Sequence, residues 1–160
     1  MPMNRILLFL IALVSTSAFV FGQTPSNVCS TAAAAQVAVG GCSISTNWDH
    51  NNVTPSRTEC GGAGGRDKFV WFQATSTTTT VTFDNTTNNR DSKVYIYENT
   101  VNNCGSMTYL TCVDNPGNGN DETITFTTVV GRFYYVQVTA SNNSLSGVVC
   151  VSYPPANDNC

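Results

Sequence analysis

Lys68-Phe69-Val70-Trp71-Phe72-Gln73-Ala74 is aromatic and β-branched, and Gly61-Gly62-Ala63-Gly64-Gly65 flanks it upstream. A run of that composition, punctuated by glycine, reads as a β-strand. The same grammar repeats downstream. Thr77 to Phe83 is a threonine strand that places Val81 and Phe83 on one face. Ser92 to Tyr97, Thr123 to Thr127, Phe133 to Val138 and Val148 to Tyr153 continue the pattern, with Tyr109 to Val113 and Gln36 to Val39 as shorter candidates. Asn- and Gly-rich connectors, such as Asp84 to Asn89 and Pro116 to Asn120, separate the runs. Thr31-Ala32-Ala33-Ala34-Ala35 offers one helical turn, too short to stand alone. Period-2 runs without an amphipathic helix predict an all-β fold, a two-sheet antiparallel β-sandwich. Phe69, Trp71, Ile96, Phe126 and Val136 are the expected core residues, each contributing roughly 1.5–3 kcal/mol on burial.

The chain opens differently. Arg5 precedes the apolar run Ile6 to Val14, and the small residues Ser15 to Ala18 follow it, which is the anatomy of a signal peptide spanning residues 1–22. The apolar run is too short to span a bilayer. Removing those 22 residues from 160 leaves 138, enough for one domain with a real core. Charged residues make up only 11% of the chain and the formal charge is −3, so there is no footprint for nucleic acid or anionic lipid.

Seven cysteines punctuate the sequence: Cys29, Cys42, Cys60, Cys104, Cys112, Cys150 and Cys160. In an exported chain an odd number asks for explanation. Pro25-Ser26-Asn27-Val28-Cys29 is echoed by Pro155-Ala156-Asn157-Asp158-Asn159-Cys160, so residues 154–160 read as a linker and the start of a second repeat after a module at 23–153. Six cysteines then remain for three bridges, with 15 connectivities open. Short spacing favours Cys29–Cys42 and Cys104–Cys112, which leaves Cys60–Cys150. Zinc is a poor alternative, because there is no C-x-x-C pair and only one histidine, His50.

Two constellations are candidates for chemistry. The segment Asp114-Asn115-Pro116-Gly117-Asn118-Gly119-Asn120-Asp121-Glu122 places Asp114, Asp121 and Glu122 among amides, an oxygen-only set that suits calcium. The spacing is not that of an EF-hand, and Asn, Gly and Pro are also ordinary turn-formers, so a plain loop stays open. Trp48, between polar Asn47 and Asp49, is the candidate platform for stacking on a sugar; Tyr95, Tyr97, Tyr134 and Tyr153 are further aromatics of that type. Asp49 and His50 form no triad with any serine in a nucleophile setting, so the sequence points away from an enzyme. Sequons begin at Asn52, Asn85 and Asn142, marks of surface loops in a eukaryotic chain.

Several loose motifs stand in one order: Glu59-Cys60-Gly61-Gly62, Asp91 to Tyr97, Asn103-Cys104-Gly105-Ser106, Leu110 to Asp114, Gly131 to Val138, Gly147 to Cys150, and Pro154 to Cys160. In this order the chain resembles the cysteine-bearing repeats of large secreted Bacteroidetes proteins, relatives of the bacterial pre-peptidase C-terminal domain. The resemblance implies a jelly-roll-like, non-catalytic module repeated in tandem, secreted by the type IX system and held at the cell surface. It implies a structural or adhesive role with neighbouring repeats as partners. The alternative is an accessory domain of a secreted peptidase or glycanase that binds polysaccharide or a surface protein. It also adds Asp91 to the calcium set, since the strand carrying that residue runs near the acidic loop. The acidic run after Cys112 is thinned here to Val113-Asp114-Asn115.

Overall fold

A computed structural model describes residues 36–48, 58–62, 65–87, 90–140 and 145–153. The leader, Cys29, Thr31 to Ala35, Asp49, His50, Asn52, Asn142 and Pro154 to Cys160 lie outside the described residues. Nine strands are described: β1 (Gly41–Cys42), β2 (Thr46–Trp48), β3 (Arg66–Gln73), β4 (Thr78–Asn85), β5 (Ser92–Asn99), β6 (Thr108–Val113), β7 (Glu122–Thr127), β8 (Phe133–Ala140) and β9 (Leu145–Ser152). One 3-10 turn, Glu59–Gly61, precedes β3. Among the described residues no helix is long and apolar enough to cross a membrane.

One sheet has the order β1-β9-β4-β7, with β2 also on β9; the other has β3-β8-β5-β6. All these pairings are antiparallel. From β2 to β9 the chain changes sheet at every step except the β5–β6 hairpin. That is a jelly-roll sandwich, and the expected fold class is the one observed.

Burial explains why the strands read as they do. In β4 and β9 buried and less buried residues alternate, because only one face meets the core. Val81 and Phe83 point inward with Val149 and Val151. Outward, Thr80 pairs with Thr125 at 2.7 Å and Thr82 with Thr123 at 3.1 Å across the β4–β7 ladder. By contrast β3, β5 and β8 are buried on both faces. Ile96 and Val136 face the main core, where Phe126 packs partly buried. Phe69 and Trp71 do not face it: they join Tyr95, Tyr97 and Tyr135 in a second cluster on the opposite side of their sheet. Val70 and Phe72 take the inward positions of β3 instead. Of residues 36–39, Gln36 makes one parallel bridge, to Trp71, and no strand forms.

The disulfides correct the expectation from spacing. Cys42 joins Cys150 and Cys60 joins Cys112, across sequence separations of 108 and 52. Cys29–Cys42, Cys104–Cys112 and Cys60–Cys150 are therefore not the pairs; Cys104 is also in a disulfide, but not with Cys112. The physical reason is register. Cys42 and Cys150 face each other in the β1–β9 ladder with Cα atoms 4.0 Å apart. Cys60, in the 3-10 turn over the second cluster, reaches Cys112 on edge strand β6.

Candidate metal site

Three strand ends converge at one end of the sandwich. Asp91 immediately precedes β5, Asp114 immediately follows β6, and Glu122 opens β7. β5 and β6 are neighbours in one sheet, while β7 is the edge of the other. The cluster therefore spans the gap between the two layers. One carboxylate oxygen from each of the three lies within 4.8 Å of the others. Asp121, expected in the same set, is not brought into it; it is exposed, and its Oδ1 accepts from the Asn85 backbone N–H at 2.9 Å.

The surroundings treat the three acids differently. Glu122 is fully buried because position 122 is in phase with inward Ile124 and Phe126. Its Oε2 accepts from the Asn115 backbone N–H at 2.8 Å, and Ser92 Oγ donates to its Oε1 at 3.4 Å. Burial, reinforced by the charges of Asp114 and Asp91, still pushes its carboxyl up to about 7. Asp91 is raised by burial and then by the Asp114 charge, against the pull of Lys93 and the Gly117 N–H. Among the described residues, Asp91 Oδ1 is a buried oxygen with no hydrogen-bond donor. Lys93 Nζ lies 3.1 Å from Asp114 Oδ2 and donates to the Cys60 carbonyl at 2.7 Å. An oxygen-only set with a buried oxygen lacking a donor is the environment a hard cation fits.

The loop between Asp114 and Glu122 is shaped to hold this arrangement. Gly117 and Gly119 have φ of 123° and 78°, a region that favours glycine. The Gly119 N–H donates to the Arg90 carbonyl at 2.8 Å, and Asn115 Nδ2 donates to the Asp121 carbonyl at 2.8 Å. Asn85 Nδ2 donates to the same Arg90 carbonyl at 3.0 Å, and with the Asn85 N–H on Asp121 Oδ1 and the Gly119 N–H on Arg90 the β4–β5 and β6–β7 connections are tied together. Sequence reasoning missed Ser92, Asn85 and Lys93 as supports, since contacts between connections are invisible to local pattern. Asn85, read as a surface sequon, is buried by this role.

Trp48 is not an exposed platform. It is fully buried, edge-on to Phe83 at 5.4 Å, and its Nε1 donates to the Gly147 carbonyl at 3.3 Å. Tyr95, Tyr97 and Tyr134 are buried as well, and Tyr153 is exposed.

No protein-family model matches the chain, and no curated protein matches it. Among solved structures, it is similar to CorA, described as a surface-associated copper-binding protein important in Methylomicrobium album BG8 copper acquisition, with TM-score 0.48 and 10% identity over 74% of this chain and 98% of that one. It is also similar to a structure described under "CBM4 structure and function", with TM-score 0.39 and 13% identity over 69% and 86%. Likenesses this distant transfer no ligand.

Proposed function

We propose that the chain is a non-catalytic, extracellular module of a larger surface protein, acting as a structural or adhesive spacer, and that Asp91, Asp114 and Glu122 hold a calcium ion that braces one end of it. The observation carrying the cation is the convergence of three carboxylates from both sheets around an oxygen, Asp91 Oδ1, that is buried without a donor among the described residues. Calcium suits the donors better than zinc or copper, because every side-chain ligand is a carboxylate oxygen. Such an ion would neutralise like charges that otherwise repel, and would clamp the two layers where the β6–β7 connection crosses between them. Disulfides support an oxidising compartment. The ordered cysteine and glycine motifs support membership of a tandem array of the pre-peptidase C-terminal type.

Calorimetry on chelator-treated protein tests the cation. Calcium uptake near one ion per chain is expected, with a higher melting temperature, and Asp91→Asn or Asp114→Ala should abolish both. No heat and no thermal shift at millimolar calcium would remove the calcium brace from the reading.

A further inference from the structure

At the other end of β5, Glu98 meets Arg132, which directly precedes β8; Arg132 Nη1 donates to Glu98 Oε2 at 2.8 Å. The two side chains are 21% and 38% exposed. A pair that open to water adds little stability. It does form a wall of a cavity of about 240 Å³, completed by Asn99, Thr100, Ser106 and Thr108. Asn99 keeps the loop in shape: its Nδ2 donates to the Asn103 carbonyl, and its Oδ1 accepts from the Val101 N–H at 3.4 Å. The β7–β8 connection that leads into Arg132 is fixed too. The Gly131 N–H donates to the Ala74 carbonyl at 2.7 Å, and the Val129 N–H donates to Tyr134 Oη at 2.8 Å. These bonds hold Val129 and Val130 in solvent at 51% and 60% exposure, at the same end as Val101 at 52%. Hydrogen bonds thus shape the connections on either side of the Arg132–Glu98 pair, and aliphatic tips project at the same end of the sandwich.

We propose that this cavity binds one ring of a neutral glycan. Its charges cancel within the Arg132–Glu98 pair, so an acidic or basic ligand would have to break that bond. A neutral polyol need not: it can accept from the remaining guanidinium N–H groups and donate to the carboxylate. Thr100, Ser106 and Thr108 add hydroxyls able to do both. The volume lies below the range of about 300–1,000 Å³ typical of larger ligands, which suits a single ring entering from an extended chain. Exposed valines beside a polar pocket are the kind of apolar surface that marks a contact site, here for the C–H faces of adjoining sugar units. This site shares no residue with the acidic cluster, and it replaces buried Trp48 as the place where sugar would bind.

The test is amide-shift mapping of the isotope-labelled full chain against cello-, xylo-, manno- and laminarihexaose, with oligogalacturonate as an acidic control. At least one neutral sugar should shift the amides of Asn99, Thr108 and Arg132. Arg132→Ala should weaken binding at least about tenfold, and so should Thr108→Val, an exposed position whose change leaves the fold intact. Asp91→Asn should bind the sugar as the parent does, whatever it does to calcium. The proposal fails if no neutral sugar shifts these amides, if only oligogalacturonate does, or if the shifts persist in both pocket variants.

Discussion

Glu122 shows how much one side chain's phase decides. In Glu122-Thr123-Ile124-Thr125-Phe126-Thr127 the acid occupies an inward slot, in step with Ile124 and Phe126. That much was legible in the alternation, and it marks Glu122 as the unusual acid of the loop. Trp48 turns inward beside exposed Asn47, but its three-residue strand and polar neighbours gave no pattern to show it. The partners of Glu122 come from elsewhere in the chain and left no local trace. Its titration gives a prediction for metal-free protein. Below the unfolded value of 4.5 both states carry the proton; between 4.5 and about 7 the unfolded chain releases it while the folded one keeps it. The folded state then binds more protons, so stability must fall as pH rises through that window, by roughly 3 kcal/mol at most. Melting curves in chelator from pH 4 to 8 should show this decline, and Glu122→Gln should flatten it. A parallel slope in the variant would mean another group carries the pH dependence.

Strands divide into those whose sequence declares their surroundings and those that need a partner to be understood. The threonine alternation of β4 announces one wet face. The unbroken Phe69-Val70-Trp71-Phe72 announces a strand covered on both sides, although which pair faced which layer was not readable. Short β1 and β2 carry too few residues for any period, and their place is set by the β9 ladder. Disulfide pairing failed on spacing for the same reason, because register in a jelly roll joins residues far apart in sequence. On β9 itself, Gly147 is required by close approach. A Cβ there would run into the Asp84 carbonyl and the Phe83 ring, and the Gly147 carbonyl already accepts from Trp48. Gly147→Ala should therefore cost about 1–3 kcal/mol through forced displacement of β4. Urea unfolding would register this as a lower midpoint; an unchanged midpoint would show that the β4–β9 contact yields freely.

Across the whole molecule, cross-links and charges divide the labour between sheets. The Cys42–Cys150 bond staples edge strand β1 onto a ladder that is already hydrogen-bonded, and β4 stands between β9 and the strand that carries Glu122. The Cys60–Cys112 bond instead anchors the 3-10 turn whose Cys60 carbonyl shares Lys93 with Asp114. Chain entropy assigns the two bonds similar upper limits, roughly 4 to 5 kcal/mol for such loops, so stability alone would not tell them apart. Calcium affinity should. With Cys60 and Cys112 both changed to Ser, the turn that presents the residue-60 carbonyl is released from β6 and held by Tyr95 Oη on the Glu59 carbonyl, so Lys93 should spend more time on Asp114, competing with the cation for that oxygen. Calcium binding should weaken several-fold, by about 1 kcal/mol, whereas the Cys42→Ser, Cys150→Ser double variant should lose stability and keep its affinity. Calorimetry beside urea unfolding on both variants separates the effects. Equal affinities in the two would mean that Lys93 does not govern access to Asp114, and that both bonds act on the unfolded chain alone.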